Sequence, residues 1–170
     1  MSKAADGMTV EDTAKAITTV MNQLNVSASE ATGIINSLAA GSQKGAGDIN
    51  YLATALEKAG AQAGAAGLSY QQAIAAIETL APKFSSAEVA GTALNTLFIR
   101  LSTQANSNFN PAIVGIEKAL DNLAKANLTA EQKVKLFGQS SLLAANTLIE
   151  QREAFKGIPG LITAVTEKHY

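Results

Sequence analysis

Residues 69–101 read SYQQAIAAIETLAPKFSSAEVAGTALNTLFIRL. Ser69 followed three residues later by Gln72 is the pattern of a capping box, in which each side chain satisfies a backbone N–H at a helix start. Ile74, Ile77 and Leu80 then recur at helical spacing, with Ala73 and Ala81 alongside. Pro82 should end this helix, because a proline pushes the residue before it out of the helical region. Ser85 with Glu88 has the spacing of a second capping box, and Val89, Leu94, Leu97, Phe98 and Leu101 make the next apolar face. The stretch therefore predicts two short helices packed as an antiparallel hairpin, with the small pair Ala90-Gly91 where the backbones come closest.

The same punctuation extends outward in both directions. Toward the N-terminus, Thr9 with Asp12 opens a helix to about Leu24, buried along Ala14, Ile17, Val20, Met21 and Leu24. Ser27 with Glu30 opens another, carrying Ile34, Ile35 and Leu38 and ending at Gly41. After a glycine-rich loop, Asp48 caps a helix with Leu52, Ala53 and Leu56 facing inward. It passes through Gly60 and Gly64 and stops at Gly67. Glycine costs about 1 kcal/mol relative to alanine inside a helix, so two glycines four residues apart point to close packing. Toward the C-terminus, Asn110-Pro111 opens a helix lined by Ile113, Ile116, Leu120 and Leu123, with Asp121 and Lys125 paired outside. Thr129 with Gln132 caps a short helix carrying Val134, Leu136 and Phe137, and Gly138 ends it. Ser140 or Ser141 caps the next, whose apolar set is Leu142, Leu143, Leu148, Ile149 and Phe155. Gly157 to Gly160, with Pro159, breaks that helix, and a final one follows. No run alternates at period two long enough for a strand.

The fold class expected is thus all-α: a compact domain of about eight to nine short helices in antiparallel hairpins with Ala/Gly-rich packing. Residues 1–8 form a flexible lead-in, 9–157 the helical domain, and 158–170 a final helix truncated from a longer parent. A chain of 170 residues suffices for one hydrophobic core. Apolar residues make up 47% but are mostly alanine, and aromatics are only 5%. Interfaces of alanine bring helices close while burying little area each, so at roughly 25 cal/mol per Å² the hydrophobic term is modest. Moderate stability is expected.

Composition also removes function classes. A net charge of −1 from 13 basic and 14 acidic residues leaves no footprint for a nucleic acid. Lys133 and Lys135 are the one local basic excess, and Glu131 with Lys135 reads as an exposed helix-surface pair. The absence of cysteine excludes disulfides and thiolate metal sites. No segment reaches the ~18 apolar residues of a membrane span. The sole histidine, His169, would have to serve any Ser-His-Asp arrangement from the penultimate position. Glu117 with Asp121, and Glu150 with Glu153, are the carboxylate pairs closest to a two-acid arrangement, but both have the spacing of solvated helix surfaces. Gly45-Ala46-Gly47 lacks the third glycine and the preceding strand of a dinucleotide loop. No catalytic, cofactor-binding or metal-ligating residue is assigned, and no cofactor is expected.

Four segments carry a resemblance: Leu52-Ala53-Thr54-Ala55-Leu56, then Ala63 to Leu80, then Ala90-Gly91-Thr92-Ala93-Leu94, then Leu136-Phe137-Gly138. Each is a common helical pattern. In this order, over roughly Ser27 to Phe155, they resemble the core region of phage tail tape measure proteins, found in tailed phages and prophages. The resemblance implies a non-catalytic structural role in tail assembly, tail-length determination and genome delivery. It implies tail tube proteins, tail-tip proteins, tail assembly chaperones and further copies of the same chain as partners, with no specific nucleic acid and with membrane contact only during delivery. The virion tail, assembled in the host cytoplasm, is the location implied. A helical interaction module without catalysis, such as an adaptor or effector, is the alternative, and a membrane-active segment is a third class.

Overall fold

The computed structural model describes residues 49–157 together with the helical residues Lys15, Thr18, Met21, Asn22, Gly33 and Asn36. The lead-in, the bounds of the two helices expected before Gly41, the Asp48 cap and the final helix expected near Gly160 lie outside the described residues. Those residues form an all-α domain with no strand among them. The elements in chain order are α1 (Ile49–Ala65), α2 (Tyr70–Leu80), a 3₁₀ turn (Ala81–Lys83), α3 (Ala87–Ser102), a 3₁₀ turn (Ser107–Phe109), α4 (Pro111–Val114), α5 (Ile116–Lys125), α6 (Ala130–Phe137), a 3₁₀ turn (Gln139–Ser141), α7 (Leu142–Glu150) and α8 (152–157).

Each boundary has a local chemical cause. At the end of α1, Leu68 N–H donates to Ala63 O and Gly67 N–H to Gly64 O, with Gly67 at φ +84°. That pair of bonds is a Schellman motif, and the buried Leu68 seals it against Ala63. α2 opens on the expected reciprocal box: Ser69 Oγ accepts from Gln72 N–H and Gln72 Oε1 accepts from Ser69 N–H, both at 3.1 Å. Ser69→Ala should therefore cost about 1 kcal/mol, read as a drop in urea midpoint at unchanged slope. α2 stops at Leu80, and Pro82 sits in the first turn of the 3₁₀ segment that follows, where its missing N–H is not needed. The Thr129–Gln132 box before α6 is also formed, and Gly138 at φ +76° ends that helix.

α2 is the centre of the domain. Every residue from Ala73 to Leu80 is buried, the signature of a helix enclosed on all sides. Around it the core joins Leu52 and Leu56 of α1, Leu94, Leu97, Phe98 and Leu101 of α3, Leu120 and Leu123 of α5, Phe137, Leu148 and Phe155. Among the described residues, thirteen of the thirty buried hydrophobic side chains are alanines, so the helices approach closely but each contact removes little area from water.

Several expectations are corrected by the packing. The tight pair is not α2 with α3; α3 packs most extensively on α1. Gly91 is indeed the point of closest approach, but its neighbours are Ala55 O and Lys58 Cβ of α1, which would lie 2.5 and 2.7 Å from an added Cβ. Tyr51 O–H donates to Phe84 O at 2.6 Å, one contact earlier along both segments, so α1 and α3 run in the same sense with α2 returning the chain between them. The N-cap of α3 is Ser86, accepting from Val89 N–H at 3.3 Å, rather than Ser85; this leaves Glu88 one residue too early to complete a box. The helix predicted from Pro111 is interrupted at Gly115 (φ +88°, ψ 151°). That conformation is essentially restricted to glycine, and it turns Ile113 out to 62% exposure while Ile116, Leu120 and Leu123 remain buried. Val89 and Leu143, assigned to the core, are 56% and 49% exposed. Ser141 stands at the start of α7 but donates its hydroxyl back to Phe137 O instead of capping.

Candidate functional site

The displaced hydrophobic residues mark the surface feature of most interest. Val89, Thr92, Ala93 and Thr96 of α3 form the floor of a groove of about 380 Å³, bordered by Lys58 of α1, Glu88, and Ser140 of the turn before α7. Val89, 56% exposed, lies in it, and Ile99, 41% exposed, follows Thr96 by three residues on the same helix. A smaller recess of about 280 Å³ lies between Gln104, Phe109, Leu128, Gln132, Lys135 and Leu136.

One cluster of charged residues ties two helices together. Asp121 was expected to pair with Lys125 on its own helix; its ion-pair partners are instead on α8. Lys156 Nζ donates to both Asp121 oxygens, at 2.7 and 2.9 Å, and Arg152 Nε stands 3.5 Å away. Lys156 also reaches Glu153 at 3.3 Å. The hydrogen bond from Lys156 holds the Asp121 carboxyl below its ordinary pKa, with the positive charges of Lys156, Arg152 and Lys125 adding to it and partial burial opposing it. The same bond raises the Lys156 ammonium, against its own partial burial. A lowered carboxyl pKa contributes stability that is complete above the unfolded value and is lost as pH falls through the folded one. A raised ammonium contributes stability that is complete below its unfolded pKa and is lost as pH rises through the folded one. The pair therefore acts fully between about pH 4 and pH 10. The expected result is that Asp121→Asn flattens the acid limb of the stability-versus-pH curve below about pH 4, measured by urea titrations across pH.

Glu131 and Lys135 form the predicted surface pair at 3.8 Å, with both side chains largely exposed; such a pair contributes little. Of the carboxylates weighed for two-acid chemistry, Asp121 is bound by two cations, and Glu150 and Glu153 are on the surface. Glu78, unremarked in the sequence, is 3% exposed within α2. Its charge, together with the larger effect of burial, raises the pKa of the Tyr51 phenol. No group of three or more His, Asp or Glu side chains among the described residues is placed to hold a metal ion. His169 lies outside the described residues. No helix among the described residues is long and apolar enough to cross a membrane.

The groove residues were only half legible beforehand. Val89, Thr92, Thr96 and Ile99 are spaced three, four and three residues apart, which is a helical stripe in its own right. On a helix already carrying Leu94, Leu97, Phe98 and Leu101, that second stripe was merged with the first.

The described residues thus form an all-α domain with one groove along α3 and one ion-pair cluster, Asp121 with Arg152 and Lys156, that ties α5 to α8. Comparison with known proteins gives that domain a setting. The model of the phage-related minor tail protein family matches residues 1–139, and the chain belongs to that family. It is a structural component of the phage tail. Comparisons with curated proteins and with solved structures gave no significant match.

Proposed function

We propose that this chain is a segment of a tail tape measure protein, acting without catalysis in tail assembly and tail-length determination and then in genome delivery. The observation that carries the reading is the family match over residues 1–139, refined by the ordered succession from Leu52 to Gly138 that resembles tape measure proteins. On this reading its partners are the tail tube, the tail tip and the tail assembly chaperones. It is assembled in the host cytoplasm and meets a membrane only during delivery. The alanine-rich core supports a further element. A folded domain of 170 residues has a radius of gyration of ~15 Å and is a short ruler. The same chain as continuous helix spans about 250 Å at 1.5 Å per residue. The segment is proposed to extend when packed in the tube, which a modest core permits.

The test is an in-frame deletion of residues 1–170 from the parent gene, with tail lengths measured by electron microscopy. Tails shorter by about 250 Å are expected; assembled tails of unchanged length would overturn the ruler reading. The groove on α3 favours a second reading, a helical interaction module, and that reading predicts failed assembly rather than shortened tails.

A further inference from the structure

We infer that residues 139–157, the last 3₁₀ turn with α7 and α8, are a strap that lets go of the domain as one unit while α1 to α6 stay folded. The hydrogen bonds set its limits. Thr147 Oγ1 donates to Leu143 O, Arg152 to Ile149 O, and the Gln151 and Phe155 N–H groups donate to carbonyls one turn back. Ser141 donates to Phe137 O, next to the strap's first residue. Beyond that link, the polar contacts that tie the strap to the rest, among the described residues, all end on Asp121: two hydrogen bonds from Lys156 and the ion pair with Arg152. Groups satisfied inside a segment stay satisfied when it moves, so release leaves few orphaned donors or acceptors behind.

A hinge stands at one end and a latch at the other. Gly138 has φ +76° and ψ 156°, a conformation essentially restricted to glycine, and the Arg100 guanidinium lies against it, 2.9 Å from where a Cβ would stand. The apolar grip between hinge and latch is light. The buried hydrophobic residues of the strap are Ala144, Ala145, Leu148 and Phe155, whereas α3 alone buries Leu94, Leu97, Phe98 and Leu101. The closed strap also carries a cost of its own: Asn146 Oδ1 is buried and accepts no hydrogen bond, and release returns it to water. Since α7 packs on α2, α3, α5 and α6, its departure opens the core along one side. The family match ends at residue 139, one residue past the hinge, so nearly all of the strap lies outside the matched part of the chain.

The strap gives the proposed extension a starting point. Only that use rests on the tape measure reading; the order of opening belongs to the folded chain. Native-state hydrogen exchange of the 170-residue chain, at rising urea below the unfolding transition, tests it. The amides of α7 and α8 should share one opening equilibrium and one urea slope, with exchange at least about tenfold faster than in α1. Asp121→Asn should speed exchange throughout 139–157 by about fivefold and leave α1 unchanged. Glu131→Gln, which breaks the exposed pair on α6, should change neither. Exchange of α7 at the rate of α1, α7 and α8 opening separately, or a strap indifferent to Asp121→Asn would overturn the proposal. The first two outcomes are read on the unaltered chain, so a variant that fails to fold does not obscure them. Tails of unchanged length in the deletion experiment would remove the ruler and leave the strap standing.

Discussion

Gly91→Val is expected to lower the unfolding free energy by about 3 kcal/mol or more, one of the two largest losses of any single change here. The reason is the partner, not the helix. An added Cβ at this position would stand 2.5 Å from the Ala55 carbonyl oxygen and 3.0 Å from Ala55 Cα. Those are backbone atoms of α1 and cannot rotate away. Intrinsic helix propensity alone would favour a larger residue at an interior α3 position, Ala over Gly by about 1 kcal/mol. The sign of the measured change thus separates the two effects. Urea unfolding followed by circular dichroism checks it. A neutral or stabilising outcome would mean that α1 and α3 are not in the contact described. Gly91→Ala should be destabilising as well, since the clash begins at Cβ.

Phe155→Ala is the second. Its ring is fully buried in the common core with Phe137 and Leu148, yet it belongs to α8, the last described helix. Truncating a fully buried phenylalanine costs about 3–5 kcal/mol through lost transfer energy and the cavity left behind. The loss should also be local before it is global. Hydrogen exchange in residues 152–157 should rise well beyond that in α2, because Lys156 and Arg152 then hold α8 to Asp121 with no apolar anchor beneath. Exchange that rises equally in α2 and α8 would show that the domain opens only as one unit. Pairing this variant with Asp121→Asn tests whether ring and ion pair act on one element. A combined loss that differs from the sum of the two single losses is expected, since groups bearing on one helix couple.

Local signals in the chain proved more legible than pairwise ones. The boxes at Ser69–Gln72 and Thr129–Gln132, the stop before Pro82, and the glycine ends at Gly67 and Gly138 each depend on a few consecutive residues, and each was readable. Which helix Gly91 would touch was not, because small residues announce a close contact without naming the partner. Val89 and Leu143 illustrate a second difficulty. In a sequence where apolar positions crowd every turn, hydrophobicity does not separate the buried stripe of a helix from an exposed one. Asp121 shows a third: a nearby Lys125 on the same helix was the obvious partner by spacing, but Lys156, 35 residues on, is better placed. The groove needed the folded arrangement of α1, α3 and the turn before α7, and no single segment encodes it.

Gly115 and Gly91 forbid side chains for opposite reasons. At Gly91 there is no room. At Gly115 a methyl group would meet nothing within 4 Å, and the obstacle is handedness alone, since φ +88° suits a mirror-image residue. D-alanine, made by chemical synthesis, matches that handedness where L-alanine does not, so stereochemistry rather than volume sets which residue the joint between α4 and α5 accepts.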